Sequence, residues 1–255
     1  MRIVGRTVRA QTSHGVGRSR RLLWLGLMAG GLAVGTRPAT ASPSGLNNTP
    51  TADTCSERTV VLQGWSGFGH EQNPDWWTGL KLSPFKNAEI GVDWKADDDP
   101  SRHAEFQVKY GIDLNDVGTR LGLGIANVSD SRPSNGEPFP YAVLTQDVKG
   151  WFRIHAGYDF QEDNKGAFGG IDRTVPLLGR DVMLCADAIQ INDQEDMLFA
   201  PGIKFGLGHK GAEGESVSAI DKVLQHVVFE TWTTFTTEPH KHQGYVAKLN
   251  LVFGF

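Results

Sequence analysis

The carboxy-terminal stretch, Tyr245 to Phe255, sets the tightest limit on what this chain can fold into. It reads Tyr-Val-Ala-Lys-Leu-Asn-Leu-Val-Phe-Gly-Phe. Tyr245, Ala247, Leu249, Leu251, Phe253 and Phe255 form an apolar set, and the set between them holds Lys248, Asn250 and Gly254. Alternation of period two over this length requires a strand whose two faces meet different surroundings. A soluble strand averages about 5–6 residues, whereas one crossing a bilayer at a tilt needs about 9–11. The stretch suits a membrane-crossing strand, with the edge of a soluble sandwich as the alternative.

The same alternation recurs upstream. Ala88 to Lys95 sets Ala88, Ile90, Val92 and Trp94 against Glu89, Gly91 and Asp93. His103 to Asp113 sets Ala104, Phe106, Val108, Tyr110 and Ile112 against Glu105, Gln107, Lys109, Gly111 and Asp113. Val117 to Ala126 places Leu121, Leu123 and Ile125 opposite Arg120, Gly122 and Gly124. Trp151 to Phe160 places Phe152, Ile154, Ala156, Tyr158 and Phe160 opposite Arg153, His155, Gly157 and Asp159. Arg58 to Gly69, Trp76 to Leu82 and Tyr141 to Asp147 are less sharp. Gly166 to Val175, Asp181 to Ile191, Met197 to Leu207 and Leu224 to Phe235 alternate imperfectly, and Pro201 cannot donate to a ladder. With the closing strand this makes about twelve, within a range of roughly 10–14. The 31 glycines suit strands and turns better than helices, and only Val217 to Val223 carries a weak helical signal.

Connections differ in character from one end to the other. Asn115-Asp116 and Lys149-Gly150 are minimal turns. Asp97-Asp98-Asp99-Pro100, Asn127 to Pro140, Glu162-Asp163-Asn164 and Asp193 to Asp196 are longer and more acidic. Gly208 to Asp221 falls on the short-turn rim in this count, as a missed strand or an excursion. Trp94, Tyr110, Tyr141, Trp151, Phe160 and Tyr245 lie near strand ends, where aromatics girdle a barrel at the lipid headgroups.

The first 41 residues read as a secretory signal peptide rather than fold. Six arginines from Arg2 to Arg21 precede the apolar run Leu22 to Val34, and Ala39-Thr40-Ala41 supplies small residues for cleavage before Ser42. Residues 42–57 are polar and contain Pro43 and Pro50, so they are expected to form a disordered periplasmic lead-in. The leader carries seven arginines and no acid, which leaves 18 basic and 29 acidic residues and a net charge near −11 rather than −4. Such a surface does not suit nucleic acid, whose phosphates need Lys and Arg. Cys55 and Cys185 could pair outside the cytoplasm, but two cysteines make neither a framework nor a zinc site.

Strand pattern, leader and terminal Phe255 together resemble the bacterial outer-membrane β-barrel proteins, the porin-like class. The resemblance implies an all-β, single antiparallel up-and-down transmembrane barrel over residues 58–255. It also implies outer-membrane lipid, the barrel-assembly machinery acting on the C-terminal strand, and small solutes as partners. The physics agrees: hydrocarbon offers backbone amides no water, so strands can span it only as a closed sheet.

On that pattern Glu89, Asp93, Glu105, Lys109, Asp113, Arg120, Arg153, His155, Asp159, Asp187, Lys204, Glu230 and Lys248 line the lumen. Trp94, Phe106, Tyr110, Phe152, Tyr158, Tyr245, Phe253 and Phe255 face lipid. The luminal charges are of both signs, and in a barrel of about twelve strands they either pair across the interior or line a small water path. No catalytic residue, metal or cofactor is expected. His155 with Asp159 and Arg153 is the best hydrolytic cluster, and His103 beside Asp97 to Asp99 the second, but no Ser stands in a nucleophile motif beside either. The acidic loop tips and His240-Lys241-His242 lack metal-site spacing. The remaining rivals are a barrel hydrolase acting on lipid or peptide, and a secreted carbohydrate-binding sandwich with Trp65, Trp76 and Trp77 as stacking platforms.

Overall fold

The computed structural model describes residues 44–69, 75–96, 104–129, 138–161, 165–191, 195–208, 219–237 and 244–255. The leader, the acidic stretch at 97–99, His103, Glu162 to Asn164, Asp193, most of Gly208 to Asp221, and His240 to His242 therefore lie outside the described residues. Those described contain twelve strands in chain order. They are β1 (Thr59–Gly69), β2 (Asp75–Ser83), β3 (Ala88–Lys95), β4 (Glu105–Asp113), β5 (Thr119–Val128) and β6 (Phe139–Val148). There follow β7 (Phe152–Asp159), β8 (Gly166–Leu177), β9 (Arg180–Ile191), β10 (Asp196–Gly206), the short helix α1 (Ala219–Leu224), β11 (Val227–Thr236) and β12 (Gly244–Gly254).

Every strand pairs antiparallel with its sequence neighbours, and β1 pairs with β12. The sheet is thus the expected up-and-down barrel, closed so that no edge is left to aggregate. The closing register runs from Thr59 opposite Gly254 to Gly69 opposite Gly244. It aligns like with like: Val61, Gln63 and Trp65 oppose Val252, Asn250 and Lys248 inside, while Leu62 opposes Leu251 outside.

One rim is made of tight turns. Lys149 and Gly150 join β6 to β7 with φ of 54° and 71°, and Leu178 and Gly179 join β8 to β9 with 50° and 73°. Two successive positive φ values make the hairpin turn whose twist matches the strands it joins. The connection holding α1 also stands on this rim. It returns from β10 to its direct partner β11, so it is an excursion with a short helix near the weak signal at Val217 to Val223. Pro201 pairs with Ala186 on β9, and the β11 ladder is interrupted between Phe199 and Gly202, as the missing N–H demands.

Tyr141 departs from the girdle expected of it. It is buried inside the barrel with Ala52, Val143 and Phe168, and Phe139 packs on the same group. Tyr141 shares the parity of Val143 and Thr145 on β6, and that parity points in. A second apolar group joins Cys55, Val61 and Val252. Each group contains a residue from the segment ahead of β1.

Candidate functional site

That segment is the main departure from expectation. Residues 44–57 do not trail away from the barrel as a disordered lead-in; they run through its interior. Leu46, Thr49, Thr51, Ala52 and Cys55 are all buried. The reason is chemical matching. A barrel interior lined by charges must satisfy them wherever water is excluded, and a polar segment supplies both side-chain and backbone partners.

The contacts go round the wall. The Ser44 hydroxyl donates to Glu89 on β3 at 2.5 Å, and the Cys55 N–H donates to the same carboxylate at 2.9 Å. Between these ends, Lys204 on β10 donates to the carbonyls of Gly45 and Leu46 at 3.0 and 2.8 Å. Asn47 donates to the Ala200 carbonyl at 2.5 Å. One oxygen of Asp187 on β9 accepts the Asn48 and Thr49 N–H groups at 2.7 and 2.8 Å, and the Thr49 hydroxyl at 3.0 Å. The Ala52 N–H donates to Thr145 on β6 at 2.9 Å. Asp53 takes Arg153 at 2.6 Å and Arg120 at 3.4 Å.

His155 sits beneath this contact in a hydrogen-bonded chain. Thr145 Oγ1 lies 2.9 Å from His155 Nδ1, and His155 Nε2 lies 3.0 Å from Asp172. Arg153 grips both oxygens of Asp172, at 2.9 and 2.6 Å. With Thr145 Oγ1 accepting the Ala52 N–H, its own proton can be given to Nδ1, the arrangement in which Nε2–H donates to Asp172. Hydroxyl, imidazole and carboxylate in sequence is also the order of a hydrolytic triad. Here the hydroxyl is buried and faces the backbone of Ala52, so the chain anchors the segment. Asp159, the partner expected for His155, instead accepts the Gln161 N–H at 3.4 Å.

Above residues 44–50, towards the rim of longer connections, a cavity of about 820 Å³ remains. One side carries Trp65, Lys81, Glu89, Asp93, Gln107, Lys109 and Lys248, and the other Phe139, Tyr141, Ile189, Ile191, Leu198 and Trp232. Asp93 is held by Gln63 at 2.8 Å and Gln107 at 2.7 Å. Trp65 stacks on Trp77 with centroids 5.9 Å apart, and the Lys248 ammonium lies 5.2 Å over the Trp65 ring. Two of the three tryptophans offered as surface platforms therefore stand inside, and Trp76 is exposed outside. Among the described residues, no group of three or more His, Cys, Asp or Glu could hold a metal.

Of the residues expected in the lumen, Glu89, Glu105, Lys109, His155, Asp159, Asp187, Lys204 and Glu230 are buried there. Asp93, Arg120, Arg153 and Lys248 are half-buried on the same face. Asp113 is the exception: it stands at the short-turn rim, 53% exposed, and pairs with Arg120 at 2.7 Å. Trp94, Phe106, Tyr110, Tyr245 and Phe255 are exposed on the outside. Phe152 and Tyr158 are half-buried, and His226 stacks on Phe253 at 5.4 Å and covers part of it.

Sequence reasoning missed Lys81, Thr145, Asp172 and the whole contribution of Asp53. Lys81 lies between Leu80 and Leu82, a local alternation sufficient to place it inside. Asp172 is masked by Arg173 and Thr174 beside it, which blur the parity of β8. Burial, and after it the Glu89 carboxylate, push the thiol of Cys55 up to about 12. Both cysteines are buried and free.

No protein-family model matches the chain, and no curated protein matches it. Among solved structures, the chain is similar to the KdgM porin, with 12% identity, a TM-score of 0.49, and coverage of 76% of this chain and 99% of that one. The NanC porin is similar at 13% identity and a TM-score of 0.45, covering 77% of this chain and 99% of that one. The Acinetobacter baumannii outer membrane protein Omp33 is similar at 9% identity and 0.45, covering 78% and 99%.

Proposed function

We propose that the chain is a non-enzymatic outer-membrane β-barrel of porin-like type, admitting small solutes through a lumen that its own amino-terminal segment narrows. One observation carries this. A belt of apolar side chains points outward from every strand: Leu62, Leu80, Ile90, Phe106, Leu123, Leu144, Ile154, Ile171, Leu184, Ile203, Phe229 and Leu249. Nine of them, Leu62, Leu80 and Phe229 excepted, are exposed. A continuous apolar belt around a closed sheet has no stable arrangement in water and a natural one in lipid. A soluble sandwich would turn those residues inward.

Residues 1–41 would then direct export, with cleavage between Ala41 and Ser42. That cut leaves a new terminus two residues ahead of Ser44. The C-terminal strand would be the segment handed to the barrel-assembly machinery. A hydrolase would need a substrate at Thr145, where Ala52 sits, and that contact favours the channel.

Fractionation and conductance test the proposal. The protein should sediment with outer membranes, migrate faster on a gel before heating than after, and give stepwise currents in a planar bilayer. A soluble fraction with heat-independent mobility would sink the membrane assignment. A folded barrel silent in every condition would leave a structural membrane protein in place of a channel.

A further inference from the structure

We propose that the inner wall of the barrel is a binding site for an extended acidic peptide, that residues 44–57 occupy it in cis, and that their departure opens the lumen. The inference rests on the porin-like function proposed above. Its basis is that the wall is built as a seat and keeps its own ion pairs without its occupant.

The seat is visible in the glycines. Gly111, Gly122, Gly170 and Gly202 face inward from β4, β5, β8 and β10. A methyl group on Gly111 would come within 2.8 Å of the Ala52 carbonyl oxygen, and one on Gly122 within 2.8 Å of Ala52 Cα. On Gly202 it would come within 2.8 Å of the Asn47 side chain and on Gly170 it would strike that of Leu46, but at these two positions the wall's own Trp232, Thr231 and Ala186 crowd it as well. Gly111 and Gly122 thus withhold a side chain where the segment's backbone passes, and Gly170 and Gly202 leave room for its Leu46 and Asn47 side chains beside the wall's own neighbours.

The wall's independence lies in its ion pairs. Lys204 pairs with Glu230 at 3.0 Å, Lys81 with Glu89 at 3.5 Å, Arg153 with Asp172 at 2.6 Å and Arg120 with Asp113 at 2.7 Å. All four pairs lie within the wall and survive removal of the segment. The occupant adds Asp53, clasped between Arg153 and Arg120, and it satisfies Asp187 with two backbone N–H groups and a hydroxyl. Its apolar share is small: Leu46, Ala52 and Cys55. A segment held mainly by polar contacts exchanges them for water at modest net cost, because each protein hydrogen bond contributes only about 0.5–1.5 kcal/mol beyond its hydrated alternative. It is tethered at one end, where Arg58 takes a φ of 57° just ahead of β1.

Two native thiols report whether the segment is seated. Cys55 lies on it, and the Cys185 thiol on the wall donates to Asn47 of the segment at 3.3 Å. The test uses the full-length protein, with heat-dependent gel mobility as the check that the barrel is intact. Asp53→Ala removes the clasped carboxylate and leaves the wall pairs in place. Gly122→Val forces the segment out by volume instead of charge, and keeps the test open should the first variant assemble poorly.

In both variants a bulky maleimide should label Cys55 and Cys185 at least tenfold faster than in the wild type, with larger current steps. A synthetic peptide of residues 44–57 added to the Gly122→Val protein should fail to restore wild-type current, and added to Asp53→Ala should restore it. Labelling and current equal to wild type in both intact variants would overturn the proposal while leaving a conducting porin. Faster labelling with no current in any protein would overturn the closing role and the porin-like function together.

Discussion

The wall and the segment inside it solve one problem, the satisfaction of polar groups away from water, by opposite means. In the wall each strand's amides are answered by the next strand, and the side chains only have to choose a face. Residues 44–57 have little partner backbone of their own: Leu46 N–H closes a single turn on Thr49 O at 2.9 Å. Apart from a Thr51–Asp53 contact within the segment and the Asn47 bond to the Ala200 carbonyl, their polar contacts are made by side chains of distant strands. The wall therefore carries its instructions locally, in a period of two, whereas the shape of the segment is written in residues up to 159 positions away, at Lys204.

The comparison breaks most severely where one residue serves both regions. Lys204 and Glu230 are 3% and 2% exposed, and Glu230 also accepts Asn250 at 2.7 Å. Glu230→Ala leaves the buried Lys204 ammonium without its ion-pair partner and should cost about 3–5 kcal/mol. The urea midpoint of the heat-modifiable band measures it, with Glu230→Gln recovering part of the loss; an unchanged midpoint would mean that water already solvates Lys204. Second in size is a change the wall alone should feel. Leu123 points outward from the middle of β5 and is 44% exposed. On the proposed membrane placement, Leu123→Arg puts a charge in hydrocarbon and should cost about 2–4 kcal/mol, lowering the amount of assembled barrel. If it were neutral, β5 would not face lipid.

The same contrast explains how much of the molecule was legible. Strand count, topology and face assignment followed from alternation, because a strand's parity depends only on its own residues. Glu89, Lys109, His155 and Lys204 are buried on the face that parity gave them. Tyr141 was misjudged because an aromatic near a strand end suits a girdle by composition, and only its register beside Val143 turns it inward. The segment was illegible for a deeper reason. Ser, Asn, Thr and Pro make no periodic pattern, so the stretch has the composition of a disordered terminus, and nothing local shows that a charged groove awaits it. Asp53 acquires its role from Arg153, 100 positions later.

Third in expected size is a pH effect confined to the segment. The Cys55 thiol is held at about 12 against an ordinary 9.0. A protonated thiol bound more tightly in the seated state stabilises seating fully below pH 9, and that contribution fades as pH rises towards 12. Protease clipping of residues 44–57 should therefore increase between pH 9 and 11 in the wild type more than in Cys55→Ser, where the titrating group is gone. Equal profiles would show that the thiol meets water when seated. At pH 8 the same shift lowers the thiolate fraction about a thousandfold, so slow labelling of the seated protein has a chemical as well as a steric cause.

The smallest effect tests whether the wall is indifferent to its occupant. Leu178 takes a φ of 50° and is 90% exposed, so its side chain gains nothing from packing while its backbone sits in the left-handed region. Gly179 follows it with a φ of 73°, and the favoured pair for such a turn is Asn-Gly. Leu178→Asn should raise the urea midpoint by the equivalent of about 0.5–1 kcal/mol, the strain removed when a residue that tolerates this conformation replaces one that does not. The gain should be the same in the wild type and in Asp53→Ala, because the turn shares no partner with the segment and distant, independent changes add. A gain that vanished when the segment left would mean that the wall is braced from within, and that its local period of two is not enough to hold the barrel's shape.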